Sequence, residues 1–182
     1  RSLLGGTGLQ GASLGIGGGT VNTELWNGSG WTEVNNLNTS KSNNSCAGIT
    51  TAAISVGGGP DQQTQVELWD GTSWTETTEV NSAKNASASS GTSTATISAG
   101  GSPSGAVALT EIWNGSAWTE VADLNTARFQ LNGFGLTTAA LVFGGNTNTA
   151  ATVNTEAWDG SAWAEVANFA TATQTMGSSS NA

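Results

Sequence analysis

Eight tryptophans stand in four pairs, Trp26 and Trp31, Trp69 and Trp74, Trp113 and Trp118, Trp158 and Trp163, and the members of each pair are five residues apart. Successive pairs begin 43, 44 and 45 residues apart, so the chain has an internal period of about 44. A unit of that length cannot bury both of its faces alone and must stack on its neighbours. Other landmarks keep the same phase. Glycine doublets fall at Gly17 and Gly18, Gly57 and Gly58, Gly100 and Gly101, Gly144 and Gly145, and glutamates precede the first tryptophan by two at Glu24, Glu67, Glu111 and Glu156. The four basic residues, Arg1, Lys41, Lys84 and Arg128, each lie sixteen residues before a doublet, and the next position in phase is Thr173. The repeats therefore divide as 1–40, 41–83, 84–127 and 128–172, with 173–182 opening another.

The copy over 128–172 shows the strands within a repeat. A first strand is expected from about Phe129 to Leu136, and Thr137 and Thr138 turn into a second from Ala139 to Phe143, which Gly144 and Gly145 end. A third runs from about Asn154 to Trp158, and Asp159 and Gly160 turn into a fourth from about Ala162 to Val166. The Asn-Gly or Asp-Gly step recurs at Asn27, Asp70, Asn114 and Asp159 and predicts a tight hairpin with both residues at positive φ. Four short strands per repeat mean a twisted antiparallel blade, and blades of that kind stack around an axis. The fold class expected is all-β, a β-propeller. The tryptophans flanking each turn are expected to pack across the hairpin or against the next blade, adding about 0.5 to 1.5 kcal/mol per aromatic contact beyond area burial.

Without this periodicity the composition, rich in Gly, Ser, Thr, Asn and Ala and poor in large aliphatics, would read as disorder. Four basic against thirteen acidic residues leave a formal charge of −9, which argues against nucleic acid and anionic membrane as partners. No apolar run reaches the length needed to span a bilayer, so membrane insertion is not expected. Cys46 is the one cysteine, so no disulfide forms within the chain, and it is expected as a small buried hydrophobe.

Histidine and tyrosine are both absent. That removes the ordinary Ser/His/Asp and Cys/His sites and the commonest transition-metal ligand. The acids follow the repeat, whereas a catalytic group should break it. Eight glutamates occupy two repeated positions, at Glu24, Glu67, Glu111 and Glu156 and at Glu33, Glu76, Glu120 and Glu165. Glu79 and Asp123 share a position with Asn36 and Asn168, and Asp61 alone has no counterpart. The expectation is exposed charge, with basic positions bridging to a neighbouring blade and each pair contributing no more than about 1 kcal/mol. The glycine doublets do not lead into a helix carrying Lys and Ser or Thr, so they read as strand ends rather than phosphate loops. No catalytic, metal or cofactor residue is assigned, and the chain is expected not to be an enzyme.

A glycine doublet after an apolar strand, a strand holding an acid and an aromatic, a turn and tryptophan, then Arg or Lys opening the next unit, resembles the Kelch motif over essentially all of the chain. Trp stands here where many Kelch repeats have Tyr. The wording TEIWNGSAWTEVADLNTAR, followed by TTAALVFGG, is similar to Kelch-like repeats encoded by marine bacteriophages and environmental sequences. The resemblance implies a propeller, and since complete rings have four to eight blades, four repeats plus the first strand of a fifth imply part of a larger ring. Copper-radical oxidases on this fold use Tyr, His and Cys ligands that this segment cannot supply. The Asp-Gly-Ser-Ala-Trp stretch is similar to the Asp-box of sialidases but lacks the residue between Asp and Gly.

All length variation lies between doublet and glutamate: five residues (Gly19 to Thr23), eight (Gly59 to Val66), nine (Ser102 to Thr110) and ten (Asn146 to Thr155). In a four-stranded meander these loops emerge on the same face as the links between blades, and variable loops on a rigid scaffold are where binding lives. Asp61, Gln62, Gln63, Ser102, Ser104, Asn146, Asn148 and Thr149 are the candidate binding residues. The leading functional expectation is a structural or adhesion module on a virion or extracellular surface that binds protein or glycan and assembles with further blades or other copies. The alternatives are the propeller domain of an extracellular carbohydrate-active enzyme whose catalytic residues lie outside this segment, and an intracellular Kelch adaptor.

Overall fold

The computed structural model describes residues 3–59 and 64–174, and every regular element among them is a β-strand. Blade 1 is β1 (Leu4–Leu9), β2 (Ala12–Gly17), β3 (Thr23–Trp26) and β4 (Trp31–Val34), and blade 2 is β5 (Ser45–Ile49), β6 (Ala52–Val56), β7 (Val66–Trp69) and β8 (Trp74–Thr77). Blade 3 is β9 (Ala88–Thr92), β10 (Ala95–Ala99), β11 (Thr110–Trp113) and β12 (Trp118–Val121). Blade 4 is β13 (Asn132–Leu136), β14 (Ala139–Phe143), β15 (Thr155–Trp158) and β16 (Trp163–Glu165). Each blade is an antiparallel sheet with its strands in chain order. The first strands pack in succession, β1 on β5, β5 on β9 and β9 on β13, and the molecule is a four-bladed β-propeller.

The first strand of blade 4 begins at Asn132, three residues later than expected. Gln130 sits at φ 53°, which breaks the extended backbone, while Phe129 pairs with Asn146 as an isolated bridge. The third-to-fourth hairpins also differ from the expected two-residue turn. They are four-residue loops closed by cross-strand tryptophan pairs such as Trp26 and Trp31, and only the glycine is left-handed, at φ 94° to 97° for Gly28, Gly71, Gly115 and Gly160. The residue before it instead turns its side chain back on the loop. Asp70 Oδ1 accepts from Thr72 N and Ser73 N, both at 2.8 Å, and Asn27, Asn114 and Asp159 do the same. This acceptor fixes a longer loop without requiring a second left-handed residue.

The tryptophan pairs meet across the hairpin with ring centroids 5.4 to 5.7 Å apart. In blades 2, 3 and 4 the second of the pair also packs against the preceding blade, not the next one, whereas Trp31 of blade 1 is exposed. Trp74 lies with Leu14, Ile16 and Leu37 of blade 1, Trp118 with Ile54, Val56 and Val80 of blade 2, and Trp163 with Ile97, Ala99 and Leu124 of blade 3. Trp74 Nε1 donates to Thr23 Oγ1 at 2.9 Å and Trp163 Nε1 to Thr110 Oγ1 at 3.1 Å. Val66 holds the same register in blade 2 and has no hydroxyl, so Trp118 Nε1 turns to Thr78 O at 3.2 Å.

The charged positions are where the structure departs most from expectation. Lys41, Lys84 and Arg128 are fully buried, as are Glu67, Glu111 and Glu156, and each cation pairs with the glutamate of its own blade. Arg128 Nη2 reaches Glu156 Oε1 at 2.7 Å, and the two lysines stand 3.7 Å from their partners. The glutamate also accepts from the segment that arrives from the blade before. Asn38 N and Nδ2 donate to Glu67 at 2.8 and 2.9 Å, Asn81 does so to Glu111 at 2.8 and 2.9 Å, and Asn125 to Glu156 at 2.7 and 2.9 Å. The repeated pair is thus the joint between blades rather than surface charge. Burial pulls the Lys41 and Lys84 ammonium groups below the usual lysine range, and their glutamates oppose that only in part. The second glutamate series, Glu33, Glu76, Glu120 and Glu165, is exposed as expected.

Asn36, Asp123 and Asn168 each accept from the first backbone N–H of the third strand, at Thr23, Thr110 and Thr155. Those side chains are committed to the frame. Cys46 is fully buried in the first interface, and burial pushes its thiol up to about 12. Of the fifth repeat, Thr173 occupies the cation position: its carbonyl accepts from Gly145 N at 2.8 Å, as Arg128 O accepts from Gly101 N at 2.8 Å. The strand expected to follow lies outside the described residues.

Candidate functional site: the face of the variable loops

The four loops of varying length leave the second strand at the glycine doublet, and the doublet dictates where they go. Gly58 N donates to Lys84 O and Gly101 N to Arg128 O, both at 2.8 Å, so the end of each second strand is sewn to the first residue of the next blade. A side chain cannot enter that seam. A Cβ at Gly100, at φ 69°, would sit 2.5 Å from Arg128 O, and one at Gly57 2.3 Å from Lys84 O. The loops therefore start on the same face as the links between blades, as the strand order predicts. Isolated bridges confirm the adjacency: Thr20 pairs with Lys41, Ser42 with Gly59, Phe129 with Asn146 and Thr152 with Thr173.

Within this face the candidate residues separate into frame and free surface. Ser102 N donates to Asn85 O at 2.8 Å, and Asn146 exchanges backbone bonds with Phe129 while its Oδ1 accepts from Asn148 N at 2.8 Å. Both are half-buried and hold the loops in place. Ser104, Asn148 and Thr149 are exposed. The loops of blades 3 and 4 touch each other, since Asn148, at φ 77°, accepts at Oδ1 from Ala106 N at 2.8 Å. Ser102, Ser104, Asn146, Asn148 and Thr149 thus lie on one continuous surface. Asp61, Gln62 and Gln63, in the loop of blade 2, lie outside the described residues.

The chemistry of this surface is neutral. The stretches 102–109 and 146–155 contain Ser, Thr, Asn, Gly, Pro, Ala, Val and Leu and no ionisable side chain. They offer hydroxyl and amide groups, which both donate and accept, on backbone held by cross-loop hydrogen bonds. Among the described residues no three His, Cys, Asp or Glu side chains come together as a metal site.

The sequence matches no family model and no curated protein.

A second feature of this face had no readable signal. Leu3, Asn43, Ala86 and Gln130 all adopt φ between 53° and 60°, and they are linked from blade to blade by Asn43 N to Leu3 O (2.8 Å), Ala86 N to Asn43 O (2.9 Å) and Gln130 N to Ala86 O (2.8 Å). Each stands two residues beyond the basic position. Left-handed backbone normally announces itself as Gly or Asn, but three of these four are Leu, Ala and Gln, so only the three-dimensional stacking of blades reveals the set. They bring the first strands together beside the variable loops, and Asn85 O, next to Ala86, is the acceptor for Ser102 N.

Proposed function

We propose that the chain is a non-enzymatic adhesion or structural module, of the Kelch-like kind borne on a virion or other extracellular surface, that binds through the face of its variable loops. One observation carries this reading: all the length variation of an otherwise regular repeat falls in loops that start on one face, and those of blades 3 and 4 touch through Asn148 and Ala106. A neutral surface of hydroxyls and amides suits a glycan, whose hydroxyls need partners that both donate and accept. The backbone beneath is held by inter-blade hydrogen bonds, so little ordering is needed on binding.

The test is a glycan array together with binding to intact cells, comparing the native protein with Ser104→Trp and Thr149→Trp. Both positions are exposed, so the bulky side chains should leave the melting temperature unchanged while reducing binding at least tenfold. Binding that persists unchanged in both variants refutes the assignment to this face. Turnover of a bound saccharide by the native protein refutes the non-enzymatic reading.

A further inference from the structure

Three asparagines precede a glycine, Asn27, Asn114 and Asn132, and they stand in unlike surroundings. Asn27 and Asn114 open the hairpins between third and fourth strands of blades 1 and 3, where blades 2 and 4 carry Asp70 and Asp159. An asparagine before glycine can react with its own backbone, because a following residue without Cβ lets its amide nitrogen approach the side-chain carbon. Whether it does so depends on how the fold holds the attacking nitrogen, the side-chain oxygen and the departing amide.

In both hairpins the loop aims its donors at the oxygen that would gain charge. Asn27 Oδ1 accepts from Ser29 N at 3.0 Å, Ser29 Oγ at 2.9 Å and Gly30 N at 3.0 Å. Asn114 Oδ1 accepts from Ser116 N, Ser116 Oγ and Ala117 N, all at 2.9 Å. These donors draw electrons from Cγ and bind more strongly as Oδ1 becomes an oxyanion, which is the arrangement that lowers the barrier to addition. Among the described residues neither Gly28 N nor Gly115 N donates a hydrogen bond, so the nucleophile is not committed elsewhere. Asn27, Gly28, Asn114 and Gly115 are exposed, which admits base and lets ammonia leave. Asn132 is placed otherwise. The pairing of β13 with β14 holds its backbone extended, and Gly133 is buried, where a Cβ would come within 3.0 Å of Val142 and 3.2 Å of Ala88.

We infer that Asn27 and Asn114 are sites of self-catalysed deamidation, each hairpin serving as the oxyanion cradle, and that Asn132 is spared. Hydroxide takes the proton from Gly28 N, the nitrogen attacks Asn27 Cγ, and the bond from Cγ to Nδ2 breaks. The departing nitrogen takes a proton from water and leaves as ammonia, which restores the hydroxide. Water then adds to the cyclic imide at Cγ and the new bond to Gly28 N breaks, leaving aspartate, while addition at the α-carbonyl leaves isoaspartate. Aspartate keeps the hairpin, since Asp70 Oδ1 and Asp159 Oδ1 already accept from the same two backbone positions at 2.8 to 2.9 Å. Isoaspartate lengthens the main chain of a loop whose ends are pinned by facing tryptophans. Each event adds one negative charge to a formal charge of −9. That charge arrives at the end of the blade away from the variable loops, because Trp26 Nε1 and Trp113 Nε1 tie these hairpins to the turns between first and second strands, at Gln10 O and Ser93 O.

Peptide mapping by mass spectrometry, on the full 182-residue chain held at mildly alkaline pH with and without guanidinium, reads the three sites separately. Native Asn27 and Asn114 should convert about threefold or more faster than the same sites in the unfolded chain, and native Asn132 more slowly. Ser29→Ala, at an exposed position, removes one donor to Asn27 Oδ1. It should slow Asn27 by about three- to tenfold in the native protein, with Asn114, the melting temperature and the rate in guanidinium unchanged. Asn27 and Asn114 converting more slowly when folded than when unfolded would overturn the inference, because the hairpin would then be a shield. A native Ser29→Ala rate equal to that of the parent would remove the cradle as the cause. Conversion of native Asn132 at the pace of the other two would show that the fold makes no selection among them.

Discussion

Replacing Glu111 by Ala removes a counterion and an acceptor at once. Glu111 takes hydrogen bonds from Asn81 N at 2.8 Å, Asn81 Nδ2 at 2.9 Å and Ser82 N at 3.2 Å, and it faces Lys84 Nζ at 3.7 Å. After the substitution Lys84 keeps only Leu109 O, at 2.8 Å, in a site with no solvent exposure. Leaving a buried charge uncompensated costs about 3–5 kcal/mol. For a chain of this size each kcal/mol is about 2–4 °C of melting temperature, so the expected fall is roughly 6–20 °C. Glu120 is the control. It lies directly across the strand pair from Glu111 but is exposed, and its replacement by Ala should change stability by no more than about 0.5 kcal/mol. The double variant Lys84→Met with Glu111→Gln leaves no buried charge and should recover much of the loss. Urea unfolding followed by tryptophan fluorescence, with hydrogen exchange resolving blade 3 from the others, measures all four proteins. A loss below about 1 kcal/mol for Glu111→Ala, equal to the control, would refute the view that this pair is a buried joint, as would a double variant no more stable than Glu111→Ala.

Gly100→Ala places a Cβ 2.5 Å from Arg128 O at φ 69°, so a loss of roughly 2–4 kcal/mol is expected by thermal unfolding, and a neutral result would show that the seam can open without cost. Asp70 and Asp159 are held below the ordinary carboxylate range, each chiefly by a backbone N–H of its own loop. A lowered folded value stabilises above the unfolded value of about 3.9 and is lost as pH falls through the folded one. Asp70→Asn and Asp159→Asn should therefore flatten the acid limb of the stability profile below about pH 4, and an unchanged slope would remove these turns as its cause. Cys46, buried with its thiol pushed up to about 12, should react with a thiol reagent only as fast as the first interface opens. Rapid labelling of the native protein would contradict the packing of blades 1 and 2.

Much of the architecture was legible because it rests on local rules repeated four times. The tryptophan pairs, the glycine doublets and the Asn or Asp before glycine each act within a few residues of themselves, so their period alone specified blade, strand order and the face of the variable loops. The second strand of blade 4 was read to the residue, Ala139–Phe143. The hairpins were read to the right place with the wrong internal geometry, because Asn27 and Asp70 can serve a turn either by backbone φ or by a side-chain acceptor, and composition does not separate the two. Ser104, Asn148 and Thr149 were likewise locatable on a loop, but that Asn148 reaches across to Ala106 depends on how two blades sit together.

The burial of charge was decided by tertiary structure alone. A Lys or Glu in register looks the same in sequence whether water or the next blade covers it, and only stacking places Lys41, Lys84 and Arg128 at zero exposure beside Glu67, Glu111 and Glu156. The left-handed residues Leu3, Ala86 and Gln130 were invisible for the same reason: their backbone is held by hydrogen bonds from the adjacent blade, not by any preference of their own. The repeating unit follows from local order along the chain, because hydrophobic period and turn chemistry are properties of neighbouring residues. What lies between units, the ion-pair joints above all, exists only once residues about thirty positions apart are brought into contact.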